Sequence, residues 1–288
     1  VTLGPMKALM ILTAVAFAAA LNAQIESYEV ASPNESVRIG VKVTDRVYYN
    51  LTVDGEEIMW YSPISMTTSQ GVLGEDPEVV DVDIEEVDQE IETVWGNRAV
   101  VDDHYREMAI AFDGGYRLIF RAYDDAIAYR FQTEFEGDLI VYDEEVEYRF
   151  FDDKPMVNHV VDSYTTSYEM FYTRQMISDV TPDNLISLPS VIEAGPVWLS
   201  VLESDVFSYP GMYLTKEGTH NRHYLSGSFP RYPLAWEPGG WGTFSLIVTE
   251  RADFIAKTEG ERMFPWRALL VAREQTELVD SDLVYKLA

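Results

Sequence analysis

From Val37 the chain settles into a two-residue rhythm. Val37, Ile39, Val41 and Val43 alternate with Arg38, Gly40 and Lys42, and Val47, Tyr49, Leu51 and Val53 repeat the pattern up to Asp54-Gly55. Alternation at period two sends one set of side chains to a core face and the other to solvent, and Asp-Gly is a turn pair that reverses such a strand toward Ile58 and Trp60. The same logic predicts strands over residues 109–112, 116–123 and 126–131, joined by Asp113-Gly114-Gly115 and Asp124-Asp125, and a further run through Val146, Tyr148 and Phe150. Later strands are predicted over 197–202, 243–249 and 268–272, with loops at Pro210-Gly211, Pro230 and Pro238-Gly239-Gly240. No long amphipathic helix, internal repeat or low-complexity linker interrupts this series. The pattern therefore predicts an all-β protein, one antiparallel β-sandwich spanning residues 24–288.

Composition narrows the partners. Hydrophobic residues make up 47% of the chain and aromatic residues 13%, enough for a sizeable core in a 288-residue protein. Lys plus Arg total 21 against 49 Asp plus Glu, a formal charge of −28. That field repels nucleic acid and anionic lipid, so neither is an expected partner. There is no cysteine, which excludes thiolate catalysis, Cys-based zinc sites and any disulfide framework.

The first residues read as an address. Met6-Lys7 gives a basic start, residues 8–21 form an apolar stretch, and Leu21-Asn22-Ala23 before Gln24 fits a small-residue cleavage site. Residues 1–23 are thus expected to be upstream residues plus a signal-peptide helix, cleaved after Ala23, with the protein exported to the periplasm or exterior. The apolar run is short for a spanning helix, so no membrane is expected after cleavage.

Several side chains invite chemical readings. The run 163–174 places Glu169 among Tyr164, Tyr168, Phe171 and Tyr172. Read as a strand, it puts Tyr168, Met170 and Tyr172 on one face and Glu169, Phe171 and Thr173 on the other; Glu169 is then either a solvent-facing strand carboxylate or, if buried, in need of a cation or a ring of donors. The acidic stretch 75–92 lacks the glycine and bidentate glutamate of an EF-hand loop, and its alternation of Val80, Val82 and Ile84 with Asp81, Asp83 and Glu85 predicts a strand with a solvated acidic face. His220 and His223 are spaced for a shared metal on a helix, but their polar, glycine-containing context reads as a loop. Trp236, Trp241 and Trp266 offer flat faces to sugar rings or to core packing alike.

Five separated segments carry a resemblance: the run 163–174, Val94-Trp95-Gly96, Asp103-His104-Tyr105-Arg106-Glu107, the block 203–214, and Pro265-Trp266-Arg267 at the start of an apolar strand. Together they resemble the N-terminal domain of glycoside hydrolase family 97, from about Ile25 to the last residue. The resemblance implies a sandwich of galactose-mutarotase-like type that packs on a (β/α)₈ barrel holding most of the catalytic carboxylates of an α-glucosidase or α-galactosidase. It also implies that Glu169, followed by Tyr172-Thr173, reaches across the domain junction to help bind calcium together with barrel glutamates. His104, Glu107 and Glu203 lie in matching segments and are candidates for saccharide contact. No catalytic residue is assigned, because the barrel carboxylates are absent.

Three functions compete. The first is an active-site-completing, carbohydrate-associated domain of an exported, calcium-dependent α-glycosidase acting on α-linked carbohydrate, not hydrolytic alone. The second is an autonomous carbohydrate-binding module, which requires a saccharide cleft on the sandwich. The third is a mutarotase-like epimerase using His104 or His159 as general acid beside a carboxylate base.

Overall fold

A computed structural model describes residues 25–94, 96, 98–216, 223–239 and 245–288. The expected signal peptide, Trp95, His220 and Trp241 lie outside these residues, as do the first two positions of the strand predicted over 243–249.

The opening meander comprises β1 (Glu26–Ala31), β2 (Val37–Val43), β3 (Val47–Val53), β4 (Glu56–Thr68) and the short β5 (Gly71–Leu73); β2, β3 and the turn into β4 are as predicted, while β1 and β5 add to the prediction. Asp54 and Gly55 both take positive φ, as the tight β3–β4 reversal requires. The acidic stretch becomes β6 (Val79–Glu92), an outer strand paired along its length with β7 (Val100–Phe112) and solvated as expected. Next come β8 (Tyr116–Tyr123), β9 (Ala126–Arg149), β10 (Pro155–Val161), β11 (Thr173–Met176), β12 (Leu185–Glu193), β13 (Trp198–Ser204), β14 (Tyr213–Thr215) and β15 (Tyr224–Ser228). A separate two-stranded ribbon, β16 (Pro233–Pro238) with β17 (Leu246–Arg251), precedes β18 (Ala256–Met263) and β19 (Trp266–Ala272). All pairings are antiparallel.

One strand organises the rest. The periodicity suggested two strands, over 126–131 and through Val146, but β9 is a single element of 24 residues. Its first part pairs with β8 and β19, its middle with β18, and its last part with β4 and β15. It therefore serves one layer of the sandwich with its start and the other with its end. Gly137, at φ 75°, bends β9 instead of reversing it, and the register with β18 shifts between Glu259 and Glu261.

Between the layers lies the main core, with Ile39, Leu51, Ile64, Phe120, Phe131, Tyr148 and Leu269 almost fully buried. Each such side chain contributes about 1.5–3 kcal/mol on leaving water. A second, smaller cluster forms on the outer face of β7, β8, β9 and β19, where Tyr105, Tyr123, Trp266 and Leu270 are covered by Leu283 and Leu287 of the C-terminal segment.

Gly260 sits at the β9–β18 bulge, where its carbonyl accepts a 2.6 Å bond from Thr133 Oγ1. A Cβ there would lie 2.6 Å from the Phe135 carbonyl oxygen and 2.9 Å from that of Gly137. Backbone cannot step aside, so Gly260→Ala is expected to cost about 1–3 kcal/mol in urea unfolding, whereas Gly55→Ala meets no atom and costs only its φ strain.

Candidate functional site

Strand β10 ends at Val161 and β11 begins only at Thr173, so the strand expected around Glu169 does not form. Residues 162–172 run as an irregular surface loop in which Tyr168 takes φ 56°, a left-handed conformation incompatible with a β-ladder. The strict alternation of Tyr168, Met170 and Tyr172 against Glu169 and Phe171 is thereby lost.

The loop is nonetheless pinned. The Tyr164 hydroxyl bonds Ser228 Oγ at 2.7 Å, and the Tyr168 hydroxyl makes a short bond to that of Tyr213. Tyr164 also packs edge-on against Tyr213, with ring centroids 5.2 Å apart. The buried His159 ring lies beneath, 5.5 Å from Tyr172 and 6.3 Å from Tyr168, while its Nδ1 meets Ser187 Oγ at 2.9 Å. Thr173 Oγ1 donates to Asn158 Oδ1 at 3.0 Å and closes the loop onto β10.

Between these anchors the chain turns outward. Phe171 is 92% exposed, Tyr172 64% and Met170 51%, and Glu169 is exposed among them. No described side chain pairs with Glu169, and no group of three metal-ligating side chains forms among the described residues. Calcium takes six to eight oxygens, so this donor set fits calcium only as one member of a larger set.

The other three candidates lie apart from this loop. His104, on β7, is half-buried and pairs with Glu86 of β6 at 2.9 Å, a contact that raises its pKa above the ordinary histidine value. Glu107 pairs with Arg121 at 2.7 Å on the outer face, where Arg121 stacks over both Tyr105 and Trp266. His104 on β7 and His159 on β10 are separated along the ladder by β8, β9, β19, β13 and β12. His104 has a carboxylate partner in Glu86, whereas the buried His159 is hydrogen-bonded to Ser187.

Glu203, on β13, is partly buried in an ion cluster. Arg267 of β19 donates from Nε and Nη2 to the two oxygens of Glu144 on β9, at 2.8 and 2.7 Å, and from Nη1 to Glu203 at 2.7 Å. The Met212 backbone N–H also donates to Glu203, and the Tyr209 hydroxyl donates to Glu144 at 3.0 Å. Burial, partly offset by Arg267, pushes the Glu203 carboxyl above its ordinary value. Burial also opposes the charge on Arg267, but the two carboxylates outweigh it and hold the guanidinium protonated. The cluster ties β9, β13 and β19 together. Sequence reasoning missed Glu144, although carrying the Val146, Tyr148, Phe150 alternation two positions back would have placed it on the buried face.

Comparison with known proteins then decides the kinship. The family described as glycosyl-hydrolase 97 N-terminal matches residues 30–288. The chain belongs to that family. A retaining alpha-galactosidase of Bacteroides thetaiotaomicron is 32% identical over 273 residues, covering 91% of this chain and 41% of that protein. Among solved structures, a glycoside hydrolase family 97 enzyme of Pseudoalteromonas sp. strain K8 in complex with acarbose superposes with a TM-score of 0.74 at 17% identity, over 91% of this chain and 38% of its own. A beta-arabinopyranosidase superposes at 0.72 with 18% identity, over 91% of this chain and 42% of its own. At these identities the structural likeness speaks to the fold, an antiparallel sandwich as predicted. The chain spans about two-fifths of the length of these relatives, and a further catalytic domain accompanies this one in the larger enzymes.

The ion cluster makes a direct prediction. Arg267→Met strands the buried Glu144 and the partly buried Glu203 and is expected to cost about 3–5 kcal/mol in chemical unfolding at pH 7. Burial already raises the Glu203 pKa, and losing the guanidinium that offsets this raises it further, so the unfolded state binds fewer protons and stability falls as pH rises through that window. The variant should therefore recover part of its loss as pH is lowered from 7 toward 5. The wild-type protein should show less of this recovery.

Proposed function

We propose that this chain is the N-terminal domain of an exported, calcium-dependent α-glycosidase, and that its role is to pack on a (β/α)₈ catalytic barrel and complete the active site there. The supporting observation is the loop 162–172, pinned at both ends yet presenting Met170, Phe171 and Tyr172 to water around an unpaired Glu169. Contiguous apolar exposure on a pinned segment marks a surface built to be covered. Glu169 would give one carboxylate to calcium, with the remaining oxygens from barrel carboxylates and water; the ion would supply fixed positive charge at the junction. The chain's own residues orient that carboxylate through Tyr164, Tyr168 and the His159 ring beneath. The kinship to a retaining alpha-galactosidase favours α-galactosides as substrates of the whole enzyme.

On this account the chain alone does not hydrolyse aryl α-galactosides or α-glucosides, because paired acid and nucleophile carboxylates come from the barrel. Turnover by the isolated chain that one point mutation abolishes would overturn it.

Calcium should separate the two states. Isothermal titration of the chain alone is expected to show almost no calcium binding, since one carboxylate leaves the ion largely hydrated. Joined to a catalytic domain of the family, the protein should bind calcium, and Glu169→Gln should weaken binding and activity together by tenfold or more, in the range common for lost metal-site partners. Glu203→Gln should instead lower stability and leave calcium affinity near its original value. An unchanged affinity in the joined Glu169→Gln protein would contradict the assignment.

A further inference from the structure

On a chain with formal charge −28, one cleft carries the opposite sign. It measures about 510 Å³, opens at the base of the β16–β17 ribbon and has Tyr164 in its lining. Arg231, Arg251 and Lys257 line it with Tyr164, Tyr209 and Tyr232, and no Asp or Glu is among the lining residues. The contrast with its neighbours is sharp: the cleft beside Arg46 is lined by Glu75, Asp143, Glu144, Glu145 and Glu147.

The cations are held in place but not all neutralised. Lys257 reaches Asp138 at 3.0 Å and Arg231 reaches Asp143 at 3.7 Å, and both of those carboxylates are well exposed and outside the cleft lining. Arg251 has no carboxylate partner among the described residues; its Nη1 donates to the Arg231 carbonyl at 2.6 Å, which fixes the guanidinium and leaves its other donors available. The tyrosines are equally fixed. Tyr209 and Tyr164 spend their hydroxyls on Glu144 and Ser228, and Tyr232 packs on Phe254 with centroids 5.3 Å apart. A cleft of this size lies within the range of small-molecule sites, roughly 300–1,000 Å³. Rigid aromatic surface suits the apolar face of a pyranose, and a guanidinium fork suits a planar carboxylate better than any neutral hydroxyl pair.

We propose that this cleft binds a carboxylated sugar, a hexuronate unit of an acidic glycan, and that it does so without the catalytic domain. The proposal takes from the functional reading only that the ligand is a saccharide. Arg251 and Lys257 bracket the carboxylate, the tyrosines receive the ring, and the strongly acidic remainder of the surface turns anionic chains away from every other face. Selectivity follows from the same arrangement. A neutral sugar leaves Arg251 without an anion and gains only the aromatic contact.

The test is isothermal titration of the chain with digalacturonate, with its neutral counterpart galactobiose, and with acetate. Binding of digalacturonate at least tenfold tighter than of galactobiose or acetate is expected. It should weaken at least tenfold in Arg251→Gln/Lys257→Gln, whose circular dichroism should match the parent, and weaken on raising salt from 0.05 to 1 M because the contact is ionic. Absence of digalacturonate binding by folded protein, equal binding of galactobiose or acetate, or undiminished binding by the double variant would each overturn the proposal. Neither calcium nor a second domain enters this experiment, so its failure would leave the Glu169 reading to its own test.

Discussion

Three strands of this sandwich meet at one guanidinium. Arg267 on β19 holds Glu144 on β9 and Glu203 on β13, and it is 2% exposed while doing so. Two carboxylates and a guanidinium withdrawn from water carry a desolvation cost that only complete pairing offsets, so the cluster constrains its surroundings tightly. Every donor counts here, including the Tyr209 hydroxyl on Glu144 and the Met212 N–H on Glu203. An apolar trio of similar volume would pack between the layers with less cost. It would not fix the position of the 205–212 segment.

That segment links the core to the 162–172 loop and to the basic cleft. Met212, held by Glu203, precedes Tyr213, whose ring and hydroxyl receive Tyr164 and Tyr168. Tyr209, held by Glu144, forms a wall of the basic cleft. A contact chain thus runs from the buried ion cluster to the loop that presents Glu169 on one side and to the cationic pocket on the other, with Tyr164 shared between them. The surface loop is irregular in backbone but anchored by side chains to the most constrained part of the fold. Such anchoring lets an exposed carboxylate be offered at a defined place without a regular element beneath it.

Much of the fold was legible because alternation is a local signal. The β2–β4 meander, the β7–β8–β9 turns and the acidic β6 followed directly from period two and turn chemistry. The continuity of β9 was not, since a bend at Gly137 and a turn look alike in sequence and only long-range pairing with β18 and β4 tells them apart. The 162–172 loop misled for the opposite reason: a Tyr-rich run has strand composition, but the Tyr168 hydroxyl finds Tyr213, 45 residues away, and the backbone follows it out of the ladder. Kinship was carried by scattered short segments, and the family match confirms it. Candidate residues fared unevenly. Glu169 emerged exposed and unpaired, whereas Glu203 and Glu107 are engaged by arginines and His104 by Glu86.

The central claim is that residues 162–172 form an uncovered junction surface whose partner is a catalytic domain. Hydrogen–deuterium exchange on the chain alone and on the chain joined to a family catalytic domain measures this directly. The account predicts fast exchange of the 162–172 amides in the isolated chain and clear protection after joining, with β13 and β19 equally slow in both. Slow exchange of those loop amides in the isolated chain, or rates unchanged by the second domain, would contradict it.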